Sequence, residues 1–251
     1  MQKLFCFCTL AISRPYNLLA QDLAKDLEKY SPGTLLIVYT DLPHYFKEHS
    51  NVIACRHSQK GVRCCWNDKR FAIKKALSMF DSAICIDADT RIIGYVPEDM
   101  EFLPGITVYE HLHILDFFKN KEKKASNTLN RLSNKMNLSI KDVRWVQENL
   151  FVITKDEGKE TEFIEQWDKV ARYLDFRGVY GDGNSIGFAA AKAGWSIQEG
   201  RLNKLLAVRQ HSYISRSLKK SILKRLKNVL AFSYRFNKEL LVTLNDFKFY
   251  Y

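Results

Sequence analysis

The chain reads as an α/β protein: a sheet with helices on both faces, and a basic helical extension at the C-terminal end. Three observations point there. Apolar runs of strand length alternate with amphipathic helical patterns, as in sheets covered on both sides. The runs close in polar residues, above all in Ile86-Asp87-Ala88-Asp89-Thr90. The positive charge is uneven: residues 1–200 hold 27 Lys and Arg against 26 Asp and Glu, and residues 201–251 hold 12 against 2.

The elements follow in chain order. Residues 4–12 are a continuous apolar run of strand length. So short a run after Lys3 also fits the core of a secretory signal, but an amphipathic helix follows at once. That helix, residues 17–30, sets Leu19, Leu23 and Leu27 on one face with Ala20 and Ala24 beside them. Ser31-Pro32-Gly33 breaks it. Residues 34–40 are a second buried strand, closed by Asp41-Leu42-Pro43, and a less regular stretch runs on to Trp66. Asn67 or Asp68 then caps a helix whose inner face is Phe71, Ile73, Ala76, Leu77 and Phe80. Residues 82–86 are a third buried strand.

Residues 119–137 are rich in Lys and Asn and are expected to form a surface excursion or lid. Residues 145–154 read as one strand, and residues 160–174 as a helix facing inward through Phe163, Ile164, Trp167 and Val170. Gly181-Asp182-Gly183-Asn184 opens a small-residue helix. Over residues 215–239, Leu218, Ile222, Leu226 and Val229 line one face while Lys219, Lys220, Lys224, Arg225 and Lys227 crowd the rest. The aromatic ending, residues 246–251, is expected to tuck against the body. The chain thus divides into a main domain, residues 1–205, and a basic amphipathic extension, residues 206–251.

Composition narrows the partners. With 46% hydrophobic residues, 11 Gly and 5 Pro, collagen-like and disordered classes are excluded. No apolar run approaches the roughly 18 residues of a membrane-spanning helix. Six cysteines show neither a CxxC pair nor a zinc spacing and read as free thiols, which places the chain in the reducing cytoplasm. The near-neutral body argues against an extended nucleic-acid track. The basic helix suits peripheral contact with an anionic membrane at its inner face, or a helix packed on the body with its lysines in water.

The chemistry centres on Asp87 and Asp89. At a strand end the backbone can turn, so that both carboxylates address one hard cation. Such a metal offsets the charge that develops on a diphosphate leaving group. For two acids alone, a solvated loop is the plainer explanation. Here Asp68-Lys69-Arg70-Phe71-Ala72-Ile73-Lys74-Lys75-Ala76-Leu77 leads through Phe80-Asp81 into Ala83-Ile84-Cys85-Ile86-Asp87-Ala88-Asp89-Thr90. This block of basic helix start, alanine and leucine face, and apolar strand closing in DxD resembles the GT-A-fold nucleotide-sugar glycosyltransferases, whose sheet is a Rossmann-type mixed one. As an order of elements the resemblance spans about residues 3–200, with further echoes in Val38-Tyr39-Thr40-Asp41-Leu42-Pro43 and in Thr9.

The resemblance implies a UDP-sugar donor and a Mn²⁺ or Mg²⁺ ion joining Asp87 and Asp89 to the diphosphate. It implies Lys69 and Arg70 at the nucleotide or phosphates, and Thr9 and Asp41 near the uridine. His211 is the candidate third metal ligand, with His111 and His113 competing. On the acceptor side it implies Glu148, ahead of a buried strand, and Asp182, which would orient the hydroxyl or stabilise charge at the sugar carbon. Each has a plainer reading: an exposed helix face for Lys69 and Arg70, a turn former for Asp41, an exposed strand start for Glu148 and an N-cap for Asp182. Because Asp182 looks like no well-placed base, the expectation leans to retention of anomeric configuration. The expected activity is metal-dependent, hexosyltransferase-like transfer to a glycan or lipid-linked hydroxyl.

Two other classes stay open. Asp87-Ala88-Asp89-Thr90 with Gly181-Asp182-Gly183-Asn184 is also similar to the Mg²⁺-dependent HAD phosphohydrolases. There the Thr stands one position early, Arg91 occupies its place, and Ile186 occupies the later acid position. The third reading has no catalysis, only binding of nucleic acid or anionic membrane through the basic tail.

Overall fold

The structure, a computed structural model, describes residues 4–118, 123–211 and 222–251. Its first half is β1 (Phe5–Ala11), α1 (Arg14–Tyr30), β2 (Leu36–Thr40), β3 (Val52–Arg56), α2 (Lys69–Leu77) and β4 (Ser82–Ile86). Next come β5 (Thr90–Ile92), β6 (Gly105–Val108), β7 (His111–His113), α3 (Ile114–Phe118), α4 (Lys123–Lys135), β8 (Arg144–Val146) and β9 (Leu150–Thr154). The chain ends with α5 (Lys159–Arg177), α6 (Asp182–Lys192), β10 (Ile197–Gln198), α7 (Asn203–Leu206), β11 (Arg209–His211), α8 (Ile222–Leu244) and α9 (Phe247–Tyr250).

The main sheet has seven strands in the order β10-β6-β9-β4-β1-β2-β3. Strands β3, β2, β1 and β4 run parallel, while β9 lies antiparallel between β4 and β6. The protein is therefore α/β, with a Rossmann-like mixed sheet flanked by helices. Two small ribbons, β5–β11 and β7–β8, stand outside that sheet.

Alternation along the strands feeds two cores. Cys6, Cys8, Ala83, Cys85, Phe151 and Ile153 face α2, α5 and α6. Phe5, Phe7, Ile84, Ile86, Leu150 and Val152 face the α1 side. On the first face the cysteines act as small hydrophobes against Ala72 and Ala76, which lets α2 lie close to the sheet. All six cysteines are free.

Several elements differ from the sequence-based expectation. The segment expected as a polar excursion contains α4, whose Ala125, Leu129 and Leu132 are buried in a third core with Met136, which follows the helix; residues 119–122 lie outside the described residues. Polar composition masked an apolar stripe of helical period. The single strand expected over residues 145–154 is two, β8 and β9, because Gln147-Glu148-Asn149 turns the chain between them. Strand β3 falls inside the stretch read as irregular, as an edge strand only partly buried and so weakly patterned. The aromatic ending does tuck in, with Phe249 and Tyr250 in the third core. Of the expected tail helix, residues 215–221 lie outside the described residues, and α8 continues to Leu244. The expected domain boundary at residue 205 falls within α7. Among the described residues, no helix is long and apolar enough to cross a membrane.

Candidate functional site

Parallel strands β1, β2 and β4 end on one edge of the sheet, where α/β proteins place their ligands. At that edge β4 stops at Ile86. The Asp87 N–H donates to Asn149 O at 3.2 Å, and Thr90 N–H closes a turn onto Asp87 O at 3.0 Å. The chain then leaves as β5. Asp26 on α1 holds it there, accepting from Arg91 Nε at 2.6 Å, Arg91 Nη2 at 2.8 Å and Ile92 N at 3.1 Å.

Strand β11 pairs with β5 so that His211 faces Thr90. One donor atom each from Asp87, Asp89 and His211 lies within 4.8 Å of the others, and all three residues are half-buried. His211 Nδ1 is 3.7 Å from Asp89 Oδ1 and 3.3 Å from Thr90 Oγ1. Burial and the neighbouring Asp87 push the Asp89 carboxyl above its ordinary range, against the opposing pull of His211 and Lys69. His111 and His113 sit instead on β7, His111 beside Glu199 at 3.5 Å.

Lys69 occupies the middle of the acids. Its Nζ lies 2.7 Å from Asp87 Oδ1 and 3.1 Å from Asp182 Oδ2, and donates to Glu148 O at 3.0 Å. Burial opposes its charge, but Asp182 and Asp87 outweigh that and hold the ammonium well above its ordinary pKa. Lys69 and Arg70 are 7% and 6% exposed, which rules out the exposed-face reading for both. Arg70 turns the other way: its Nε and Nη2 donate to Asp168 Oδ1 at 2.9 and 2.5 Å.

Asp182 is the first residue of α6, and Gly181, with φ +101°, is the N-cap; Asp182 forms no side-chain cap. A left-handed φ of that size suits glycine alone. The Asp182 carboxyl is wholly buried, and that burial, with Asp87 nearby, raises its pKa against the pull of Lys69. Glu148 lies in the turn between β8 and β9, neither in a strand nor fully exposed. Burial, then Asp182, push its carboxyl up to about 8. Its Oε2 is buried with no hydrogen-bond partner among the described residues.

Thr9 and Asp41 lie on the two neighbouring strands. Thr9 is wholly buried two residues before β1 ends, and its hydroxyl likewise lacks a partner among the described residues. Asp41 follows β2 and accepts from Ser13 N at 3.0 Å and Asn17 Nδ2 at 2.9 Å, fixing the turn from β1 into α1.

Sequence reasoning missed Asn149 and Arg209. Asn149 Oδ1 accepts from Tyr109 Oη and from Arg209 Nη1, both at 3.0 Å. Arg209 stands two residues before His211 on β11, hence on the same strand face, which was the available signal. Two half-buried carboxylates and an imidazole, a donor set that could hold a cation, thus stand next to a buried Lys69–Asp182 pair. No family model matches the chain, and no curated protein sequence matches it.

Proposed function

We propose that the chain is a metal-dependent glycosyltransferase that moves a sugar from a UDP-sugar to a hydroxyl of a glycan or lipid-linked acceptor. The observation that carries this reading is the cluster of Asp87, Asp89 and His211 at the carboxyl edge of the parallel strands. Two carboxylates and an imidazole fit a divalent ion with open positions, and the imidazole favours Mn²⁺ over Mg²⁺. When bound, the ion would offset the charge developing on the diphosphate.

The chain's own residues then divide the work. Asp87, Asp89 and His211 hold the ion. Lys69 holds Asp87 and Asp182 in register, so it acts on the donor site from beneath rather than as a loose phosphate binder. Arg70 anchors the start of α2 through Asp168; Asp41 fixes the turn from β1 into α1 on the donor side, and Thr9, wholly buried in β1, supports it from within the sheet. Asp182 and Glu148 face the acceptor side. In the transfer, the acceptor oxygen bonds the anomeric carbon as the bond from that carbon to the diphosphate oxygen breaks; UDP leaves with the bonding pair, and its freed phosphate oxygen takes the acceptor's proton. Asp182 is tied to Lys69, which disfavours it as a free base and supports retention. Six free thiols and the basic tail support a cytoplasmic enzyme held peripherally at an anionic membrane.

Thermal shift of the full chain with UDP, GDP, CDP or inorganic phosphate, each with Mn²⁺, tests the reading. UDP is expected to raise Tm by several degrees only when Mn²⁺ is present, and Asp89→Asn to lose that shift. No shift with any nucleotide overturns the transferase reading, and hydrolysis of a phosphate ester moves it to the phosphohydrolase class.

A further inference from the structure

Beside Glu148 opens a cleft of about 560 Å³, lined by Trp66, Phe117, Phe118, Trp145, Glu148 and Tyr180 among others. Its size falls in the roughly 300–1,000 Å³ range of small-molecule sites. One wall is built rigidly: the Phe117 and Trp145 rings stack at 4.1 Å and 9°. Tyr180 stands 47% exposed.

The packing behind the cleft fixes Glu148. Helix α6 approaches so closely at Gly183 that an added Cβ would lie 2.1 Å from Val146 O and 2.9 Å from both Glu148 Oε2 and Trp145 Nε1. Glu148 and Trp145 are thus pressed into place by the same helix that carries Asp182. The backbone oxygen of Glu148 meets Lys69, while Oε2 is left buried without a partner among the described residues. A buried polar atom left without a partner is unfavourable, so a ligand hydroxyl that pairs with the Glu148 carboxyl offsets that cost.

We infer that this cleft binds a pyranose ring of the acceptor, with Glu148 accepting one of its hydroxyls and the aromatic residues taking its C–H face. The inference rests on the transferase reading and adds to it the class of acceptor. A sugar hydroxyl can both donate to and accept from a carboxyl held in its protonated form, and the weakly positive C–H groups of a ring match the negative face of an aromatic side chain. An alkyl chain fits the aromatic walls equally well but leaves Glu148 Oε2 buried and unpaired. Among the described residues, Glu148 meets Lys69, and Lys69 meets Asp87 and Asp182, which joins the cleft to the proposed cation seat.

The test is saturation-transfer NMR of the full chain, with UDP and Mn²⁺, against methyl glycosides of glucose, galactose, mannose and N-acetylglucosamine, and against octanol. At least one glycoside is expected to receive saturation at its ring C–H protons. Tyr180→Ala and Glu148→Leu, which removes the polar atoms, are each expected to weaken that glycoside roughly threefold to tenfold. The UDP–Mn²⁺ thermal shift of each variant reports whether the fold and the donor half are intact. If UDP–Mn²⁺ binds but no glycoside does, or octanol alone does, the acceptor inference fails and the transferase reading stands. Equal glycoside binding by wild type and both variants also overturns it. If a glycoside binds in a Tyr180- and Glu148-dependent way while UDP does not, the sugar site stands and the transferase reading fails.

Discussion

Thr90 and His211 face one another across the β5–β11 ribbon, Thr90 Oγ1 3.3 Å from His211 Nδ1, although 121 residues separate them in the chain. Among the described residues, it is this pairing that brings an imidazole to the two acids at the end of β4. The ribbon is itself pinned by Asp26, which binds Arg91 with both oxygens.

The pin makes a prediction that touches no metal ligand. Asp26→Ala removes two charge-assisted hydrogen bonds and one to the Ile92 N–H, so β5 loses its anchor on α1. Mn²⁺ affinity, measured by titration calorimetry, is expected to fall about tenfold, the scale seen when groups behind a ligand are removed. His211→Ala is expected to fall at least as far, and Asp89→Asn to abolish binding. Unchanged affinity in all three variants disproves the cation seat.

Much of this arrangement was legible in the sequence because it rests on short periods. β1, β2 and β4 are apolar runs, α1 and α2 carry clear inward faces, and Asp87 and Asp89 stand where an apolar run stops. What could not be read depends on long-range pairing. His211 became a ligand candidate by resemblance, whereas its place opposite Thr90 is a property of the ladder. For Lys69 the resemblance implies a nucleotide or phosphate contact, with an exposed helix face as the plainer alternative; local pattern carries no information about Asp182, which reaches it from α6. Leu129, Leu132 and Met136 did repeat at helical spacing, but the Lys and Asn between them dominated the reading of that segment.

Among the described residues, Lys69 is the sole ammonium that meets Asp87, Asp182 and the Glu148 carbonyl, so its removal strands buried carboxylate charge. Lys69→Met is expected to destabilise the fold by about 3–5 kcal/mol in urea unfolding, as for other broken buried pairs. Asp182→Asn added to Lys69→Met is expected to restore part of that loss, since one stranded charge is gone. A Lys69→Met variant as stable as wild type contradicts the pair.

Glu148 gives a pH dependence with a definite sign. Its carboxyl is raised to about 8 by burial and then by Asp182, against an ordinary value of 4.5. Between those values the folded state binds more proton than the unfolded one, so stability falls as pH rises through the window. In metal-free protein, Glu148→Gln is expected to gain stability relative to wild type between pH 5 and pH 8, by an amount on the order of a few kcal/mol. Parallel Tm profiles for the two proteins would show that the carboxyl is not held up.

Close approach of α6 to β8 leaves no room for side chains at two glycines. A Cβ at Gly187 would lie 1.6 Å from Arg144 O, and one at Gly183 2.1 Å from Val146 O. Both contacts are with backbone, which cannot rotate away. Gly187→Ala is expected to cost about 1–3 kcal/mol or more, a Tm loss of several degrees for a chain of this size. Gly183→Ala is expected to displace Glu148 as well, and so to weaken glycoside binding more than its stability loss explains.

Helix α8 shows that the two sequence-based readings of the tail are not exclusive. One side packs on the body: Phe236 meets Phe176 at 5.1 Å, and Arg172 donates to Glu239 at 2.7 Å and to Tyr250 Oη at 3.1 Å. The other side carries Leu226, Val229, Leu230, Tyr234 and Leu241, all more than half exposed, with Lys227 and Lys238 alongside. An apolar stripe flanked by lysines has the pattern of an interfacial helix, each lysine adding about 1 kcal/mol near an anionic surface. Truncating the tail would strip Glu239 and Tyr250 from Arg172 and confound stability with binding, so surface substitutions are the cleaner probe. The full chain is expected to sediment with phosphatidylglycerol vesicles and not with phosphatidylcholine ones, and to be released by salt. Leu230→Ser with Leu241→Ser is expected to reduce sedimentation several-fold with Tm unchanged, because neither leucine is covered in the fold. Sedimentation that survives both substitutions leaves the stripe without a membrane role.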